Sequence, residues 1–398
     1  MRFIPLFLYL IIGCQNAQST LPETAVKVGA QVLIDNYLPE LEGKRLGLVM
    51  NQTARVGSVH VLDTLLALNQ NITALYAPEH GFRGQFGAGE VIKGGIDQQT
   101  GLPVYSLYGR TKKPTPEMLE NVDVLLFDMQ DVGARFYTYN STMRLVIEAA
   151  AELGIEVWIL DRPNPAGGNY VAGWILEKKF ESFVGMYPIP VAHGLTLGEL
   201  ALMANGEGWF ETNGTPKIRV VEMQGWSRAM KWPDTGLLWY PPSPNLPTFT
   251  HAFVYLGTGF IEGTTISEGR GTDDPFLTIG LEGFVADSVR LKQLELSYHL
   301  TLDTLTFIPK SIAGKVLHPK YENQKISGIF ISPGESFNQP VEFGIELTRT
   351  IVEQSSHAKI LPYLNLLAGV ENFSTSSLNW GQNFDNFLEA RKKYLLYD

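Results

Sequence analysis

Four stretches of the chain place acids, amides and guanidinium groups directly after apolar runs. They are Asn51-Gln52-Thr53, Pro78-Glu79-His80-Gly81-Phe82-Arg83-Gly84, the run from Asp128 through Gln130, Asp131 and Arg135 to Tyr137 and Tyr139, and Asp161-Arg162-Pro163-Asn164. Helix capping needs one Asp or Asn per helix, and Asp128, Asp131 or Asp161 could simply pair with Arg135 or Arg162. Neither role accounts for Glu, His, Gln, Tyr and Arg in equivalent positions. Further polar clusters follow at His193-Gly194-Leu195-Thr196, around Asn245 in the proline-rich 240–247 stretch, and in the glycine-spaced loop holding Glu262, Glu268 and Arg270. Such groups can carry acid/base catalysis by carboxylates. A pocket of amides and aromatics also suits a sugar, whose hydroxyls bond planar polar side chains while its C–H faces pack on rings. The chain has 16 Tyr and 7 Trp to supply those rings.

Other chemistries lose weight. The chain contains no GxxxxGK[ST], no GxGxxG between strand and helix, no GxSxG and no HExxH, the patterns of nucleotide hydrolysis, dinucleotide redox, nucleophile-elbow esterases and zinc proteases. The histidines, His60, His80, His193, His251, His299, His318 and His357, lack metal-ligand spacing, so neither a metal nor another cofactor is expected.

The elements that must position these residues follow from hydrophobic patterning. Apolar runs at 45–51, 72–77, 102–106, 122–127 and 156–160 alternate with helical patterns at 59–68 and 141–153, the latter stopped by Gly154. This alternation predicts a parallel sheet with right-handed crossovers. Ligands bind beyond the carboxyl ends of such strands, so the four polar stretches converge on one edge. From 165 to about 275 the chain is irregular and rich in Gly, Pro and aromatics, with one helix at 197–204; long irregular stretches of this kind are commonly functional loops. A second pattern then predicts a helix at 279–286, apolar runs at 305–308 and 326–331, and a helix at 341–353. The fold expected is α/β, with a Rossmann-like parallel-sheet domain at 27–275 and a smaller α/β domain at 276–398.

With 398 residues, the chain is long enough for both domains and an inter-domain cleft. Its 44% hydrophobic content excludes a disordered chain, and its net charge of −10 argues against nucleic acid as a partner. At the N-terminus Arg2 precedes an apolar run at 3–12 and then Gly13-Cys14, which reads as a signal peptide. Ile11-Ile12-Gly13-Cys14 resembles the bacterial lipobox, with Cys14 as the lipidated residue, residues 1–14 as leader and residues 15–26 as a tether. Cys14 is the only cysteine, so disulfides and thiolate chemistry are excluded from the body of the protein. The expected location is the bacterial envelope, with membrane contact only through the lipid.

Six ordered motifs resemble one family. PEHGFRG at 78–84, DxQDVGxRFYTY at 128–139, DRPNP at 161–165, HGLTxGE at 193–199, PSPN at 242–245 and EGTxxSxGRGT at 262–272 are similar to those of the NamZ-type exo-β-N-acetylmuramidases. The resemblance implies a Rossmann-like domain with a smaller partner domain, a site in the cleft between them, and release of N-acetylmuramic acid from the non-reducing end of peptidoglycan fragments. It places the catalytic glutamate at Glu79, as general acid/base, and partial burial after a strand would raise its pKa toward that of an acid. Glu268, Glu262, Asp128 and Asp131 are candidates for the second carboxylate, and the substrate's own acetamido group could attack instead. Arg135, Arg162 or Arg270 would face the lactyl carboxylate, since a planar fork suits that group. Asn51, Gln130, Tyr137, Asn164, His193 and Asn245 would meet sugar hydroxyls or the acetamido group, with His80, Arg83 and Asp161 completing the binding set. The stretch HPKYENQKISGIFI at 318–331 departs from the family by lacking a cysteine associated with that region. A rival reading is a solute-binding lipoprotein for muropeptides or sugars; an amidase or esterase fits less well, for want of a nucleophile or metal motif.

Overall fold

A computed structural model describes residues 26–84, 87, 90, 94–285 and 287–398. The expected leader, Cys14 and all of the tether before Val26 lie outside these residues. In chain order the strands are β1 Leu46–Met50, β2 Arg55–Val56, β3 Val59–His60, β4 Ile72–Ala77, β5 Gly95–Ile96, β6 Pro103–Ser106, β7 Val124–Asp128, β8 Glu156–Leu160, β9 Lys217–Val221, β10 Thr278–Leu281, β11 Leu300–Phe307 and β12 Ile326–Pro333.

Seven strands form one sheet in the order β5-β6-β4-β1-β7-β8-β9. All its pairings are parallel except that of the short edge strand β5. The central strands β1 and β7 are buried throughout because helices cover both faces. Leu46, Leu48 and Met50 of β1 pack toward the Gly29–Asn36 and Val61–Ala67 helices, while Val49 faces the Tyr139–Leu153 and Leu197–Gly206 helices. The Tyr139–Leu153 helix ends at Gly154, whose φ of 69° is the left-handed conformation that closes a helix. The Leu197–Gly206 helix begins with a capping box: Thr196 accepts from the Glu199 backbone and Glu199 reaches back to Thr196. The HGLTxGE motif is therefore partly a helix start.

The second sheet is antiparallel, in the order β10-β12-β11. The helix expected at 279–286 is instead β10 and the turn after it, and β10 is wholly buried against β12. A short apolar run has no periodicity that separates a buried strand from a helix, so neighbours decide. The stretch read as irregular contains the Phe249–Thr258 helix, which crosses the Pro340–Gln354 helix at a pair of glycines. A Cβ on Gly257 would stand 1.8 Å from the Pro340 carbonyl oxygen, and one on Gly344 2.2 Å from the Gly257 carbonyl carbon. One hydrophobic core runs from the parallel sheet into this second layer. Among the described residues no helix is long and apolar enough to cross a membrane.

Candidate active site

A cavity of about 340 Å³ lies between the carboxyl edge of the parallel sheet and the second layer. Glu79, two residues past β4, stands half-buried on its wall. His80 follows with a φ of 70°, uncommon for a residue with a Cβ, and Gly81 with 79°, so the chain turns sharply once Glu79 is placed. Thr138 Oγ1 donates to Glu79 Oε2 at 3.1 Å, and the Tyr108 hydroxyl also bonds this carboxylate. Burial, and then the neighbouring Glu79 charge, push the Tyr108 hydroxyl pKa up.

Another part of the wall comes from the glycine-spaced loop, through Glu262 and Arg270. Arg270 bonds Glu262 through Nη2 and stands 3.5 Å from Glu268 through Nε. Lys320 Nζ lies 3.0 Å from the far oxygen of Glu268 and donates to the carbonyls of Ile261 and Ile266 at 3.0 and 2.9 Å. Two acids thus alternate with two cations. Burial pushes the Glu262 pKa up against the pull of Arg270. Burial opposes the Arg270 charge too, but Glu262 and Glu268 outweigh it and raise that pKa. Arg270 Nη1 is buried and makes no hydrogen bond among the described residues. Tyr255 and Tyr363 also line the cavity, and both feel the charges of Glu79 and Glu262.

Of the residues expected at the site, the cavity is lined by Glu79, His80, Tyr137, Glu262 and Arg270. Glu268 sits behind the wall, held by Arg270 and Lys320, and does not line it. Asp128 is fully buried and gripped by Arg162, whose Nη2 donates to it at 3.0 Å and to the Arg55 carbonyl at the same distance. Neither Asp128 as a catalytic group nor Arg162 as a carboxylate receptor fits this placement, because the two are paired with each other and neither lines the cavity. Arg135 likewise turns away: it donates to the carbonyls of Trp174 and Ile189 at 2.7 Å and of Leu367 at 2.9 Å. Arg83 forms a two-pronged pair with Asp97, each contact at 3.0 Å, and that pair holds the Asp97 pKa down at about 2.

The remaining expected contacts form the layer beneath the cavity. Asn51 accepts from the Thr53 amide, and the Gln130 amide donates to Thr53 Oγ1. Gln130 Nε2 donates to Pro163 O, Asn164 Nδ2 to Leu195 O and Asn245 Nδ2 to Lys315 O. Asp131 accepts from the Gly133 amide and lies 3.7 Å from His193 Nε2. Asp161 accepts from Thr196 Oγ1, the Gly198 amide and the Tyr397 hydroxyl, and burial raises its pKa to about 7. These bonds tie loops to one another, while Asn51 Nδ2, Gln130 Oε1, Asp131 Oδ1, His193 Nε2 and Asn245 Oδ1 are buried without a hydrogen-bond partner among the described residues. The lining residues missed by sequence reasoning are chiefly aromatic: Tyr108, Phe136, Phe183, Tyr255, Phe276 and Tyr363. Of the lining residues missed, Phe136, Thr138 and Ser243 lay inside motifs. Among the described residues no group of three or more His, Cys, Asp or Glu side chains could hold a metal ion.

Comparison with known proteins decides the family. The model of exo-β-N-acetylmuramidase NamZ, N-terminal, matches residues 46–250, and its C-terminal counterpart matches residues 253–397. The chain belongs to the exo-β-N-acetylmuramidase NamZ family. It is 42% identical to the peptidoglycan β-N-acetylmuramidase NamZ of Bacillus subtilis strain 168, over 96% of this chain and 94% of that protein. A crystal structure of a DUF1343 family protein from Bacteroides fragilis matches with a TM-score of 0.80 at 34% identity, covering 95% of this chain and 100% of its own. A second DUF1343 structure from that organism gives 0.78 at 34%, covering 94% and 99%. Both NamZ modules build the cavity: the N-terminal one supplies Glu79, Tyr108, Tyr137 and Thr138, the C-terminal one Tyr255, Glu262, Arg270 and Tyr363.

Proposed function

We propose that Glu79 is the general acid/base of this cavity and Glu262 the carboxylate that faces it across the sugar. The protein is a glycoside hydrolase, an exo-β-N-acetylmuramidase that releases N-acetylmuramic acid from the non-reducing end of peptidoglycan fragments, as its two family modules and its 42% identity to a β-N-acetylmuramidase require. The observation that carries the roles is placement: Glu79, two residues past β4, and Glu262, in the glycine-spaced loop, line one cavity. Thr138 and Tyr108 meet Glu79 with hydroxyls, which donate to a carboxylate or accept from a carboxylic acid and so serve both forms of an acid/base. Glu262 meets a guanidinium, which only donates and so pulls toward the anion, against the burial that raises its pKa. An anion there stabilises the oxocarbenium-like charge that develops as Glu79 protonates the leaving oxygen.

Arg270 Nη1 supports a further assignment. A buried guanidinium N–H with no acceptor among the described residues suits the lactyl carboxylate that separates muramic acid from glucosamine. Tyr108, Tyr255 and Tyr363 offer ring faces to the sugar. We also propose a lipid anchor at Cys14 in the bacterial envelope, supported by Ile11-Ile12-Gly13-Cys14 and the absence of any other cysteine.

The test is release of free N-acetylmuramic acid from the disaccharide MurNAc-GlcNAc by protein lacking residues 1–14, with Glu79→Gln alongside. The variant should keep its thermal midpoint and lose about 10²–10⁴ in kcat. A Glu79→Gln protein with undiminished turnover would remove Glu79 from the chemistry.

A further inference from the structure

Part of the cavity lining comes from a turn that arrives from the far side of the sheet. Between β8 and the Leu197–Gly206 helix the chain makes a long excursion, and its Ser182–Gly185 turn is closed by reciprocal backbone bonds of 3.0 and 2.9 Å. That turn carries Phe183 and Val184 onto the cavity wall. Phe183 meets Tyr108, two residues past β6, with ring centroids 6.4 Å apart, and Lys112 Nζ stands 4.5 Å from the centre of the Phe183 ring. In the sheet β6 and β8 are separated by β4, β1 and β7. The Phe183–Tyr108 contact therefore joins chain from opposite sides of the catalytic edge, and no passage runs between the two rings where they meet.

The base of the turn is held by charge. Glu181 accepts from Arg144 Nη1 at 3.1 Å, and Arg144, only 3% exposed, also bonds Glu148 at 2.8 Å and stands 3.3 Å from Glu211. Lys178 pairs with Glu181 on the outer side. Arg144 belongs to the Tyr139–Leu153 helix, which starts directly after Tyr137 and Thr138, themselves on the cavity wall. An apolar tip on a base bonded to the same helix that positions the wall is a fixed partition. A flap would not bury an arginine among three carboxylates.

A glycan-cleaving site that works mid-chain needs a groove open at both ends, whereas one that takes a terminal sugar needs one end shut. We propose that the Phe183–Tyr108 contact is the end stop of the sugar site: it closes the non-reducing side and makes Phe183 the residue that restricts the enzyme to chain termini. The proposal rests on the muramidase reading, and its test separates the two. In a Glu79→Gln background, calorimetry gives the Kd of MurNAc-GlcNAc and of the peptide-free trisaccharide GlcNAc-MurNAc-GlcNAc, which extends the same unit beyond the proposed stop. With Phe183 intact the trisaccharide should bind far more weakly than the disaccharide. Phe183→Ala should lower the Kd ratio of trisaccharide to disaccharide by about tenfold or more, equivalent to about 1.4 kcal/mol. Phe183→Leu, which keeps an apolar side chain on the turn, should lower it by less and decides the matter should the alanine variant fail to fold. A ratio unmoved in the folded variants, or a trisaccharide that binds the intact site as tightly as the disaccharide, overturns the end stop. Failure of wild-type protein to hydrolyse MurNAc-GlcNAc would instead strike the muramidase reading, and is seen in the turnover assay before any trisaccharide is used.

Discussion

Glu262, Arg270, Glu268 and Lys320 form a run of alternating charge in which each cation is shared between acceptors. Taking away one member of a buried ion network costs more than the network contributes, because its partners are left charged without compensation. Arg270→Met should therefore destabilise the protein by about 3–5 kcal/mol in urea unfolding. Arg270→Lys keeps a charge but loses the fork, so it should restore much of the stability while kcat/KM for a muramic-acid substrate stays at least about tenfold down. A lysine variant with wild-type kcat/KM would exclude Arg270 from carboxylate recognition. The sequence made Glu79 legible because a polar residue just past a buried parallel strand has few places to point other than the edge. The same logic put Asp128 there and failed, since Arg162 reaches back from beyond β8 to take it. Which strand-end acid meets a cation is settled by the path of the neighbouring loop, and residue order does not encode that path. The aromatic lining was illegible for a related reason: Tyr108, Phe183, Tyr255 and Tyr363 come from four separate segments with no spacing in common.

Between elements, Arg135 joins the two halves of the active site. It leaves the loop after β7, is fully buried, and bonds two carbonyls of the long excursion and a third, Leu367 O, near the end of the Tyr363–Ala368 helix. A cation at a helix C-terminus is favourable, and burial pulls the guanidinium pKa down. The same helix carries Tyr363 into the cavity, so Arg135 sets where the C-terminal wall stands relative to Glu79. Arg135→Met would leave the Trp174 and Leu367 carbonyls without their donor, at about 1–3 kcal/mol for each buried group left unsatisfied, while Ile189 O keeps the Leu176 amide. Arg135→Lys can serve some of them and should recover part of that loss. Its kcat should still fall, by up to about 10²-fold, with little change in KM, because misplacing the walls by about an ångström costs catalysis before binding. A lysine variant with full kcat would reduce Arg135 to a structural bolt. At this scale five of the seven strands of the first sheet could be read from their apolar runs, while the two-residue β5 and β9, inside the stretch read as irregular, could not, nor could β10, four residues long and buried on the same terms as a helix turn.

The whole molecule is closed by its own C-terminus, which returns to the parallel sheet. The Tyr397 hydroxyl donates to Asp161 at 2.7 Å, the Leu396 amide to Glu199 at 3.0 Å, and the Arg228 amide to the Asp398 carbonyl at 2.6 Å. Asp161 lies just beyond β8 and also holds the start of the Leu197–Gly206 helix through Thr196 and Gly198, so one buried carboxyl links sheet, helix and chain end. Burial raises its pKa from 3.8 to about 7, against the pull of those three donors. For an acid the sign is fixed by linkage: a folded-state pKa above the unfolded value gives stability that is fully present below the unfolded pKa and is lost as pH rises through the folded one. The Asp161 contribution should thus be complete below about pH 4 and decline to its end near pH 7, a change on the order of 4 kcal/mol at 1.36 kcal/mol per pKa unit. Asp161→Asn removes the titration, so the difference in unfolding free energy between variant and wild type should move in the variant's favour from pH 4 to pH 8. Deleting residues 395–398 should lower stability at every pH, yet flatten the Asp161 slope as well, because water then reaches the carboxyl that Tyr397 had covered. A difference between Asp161→Asn and wild type that stays constant from pH 4 to pH 8 would mean that Asp161 is already ionised in the folded protein at pH 4, with its three donors outweighing burial.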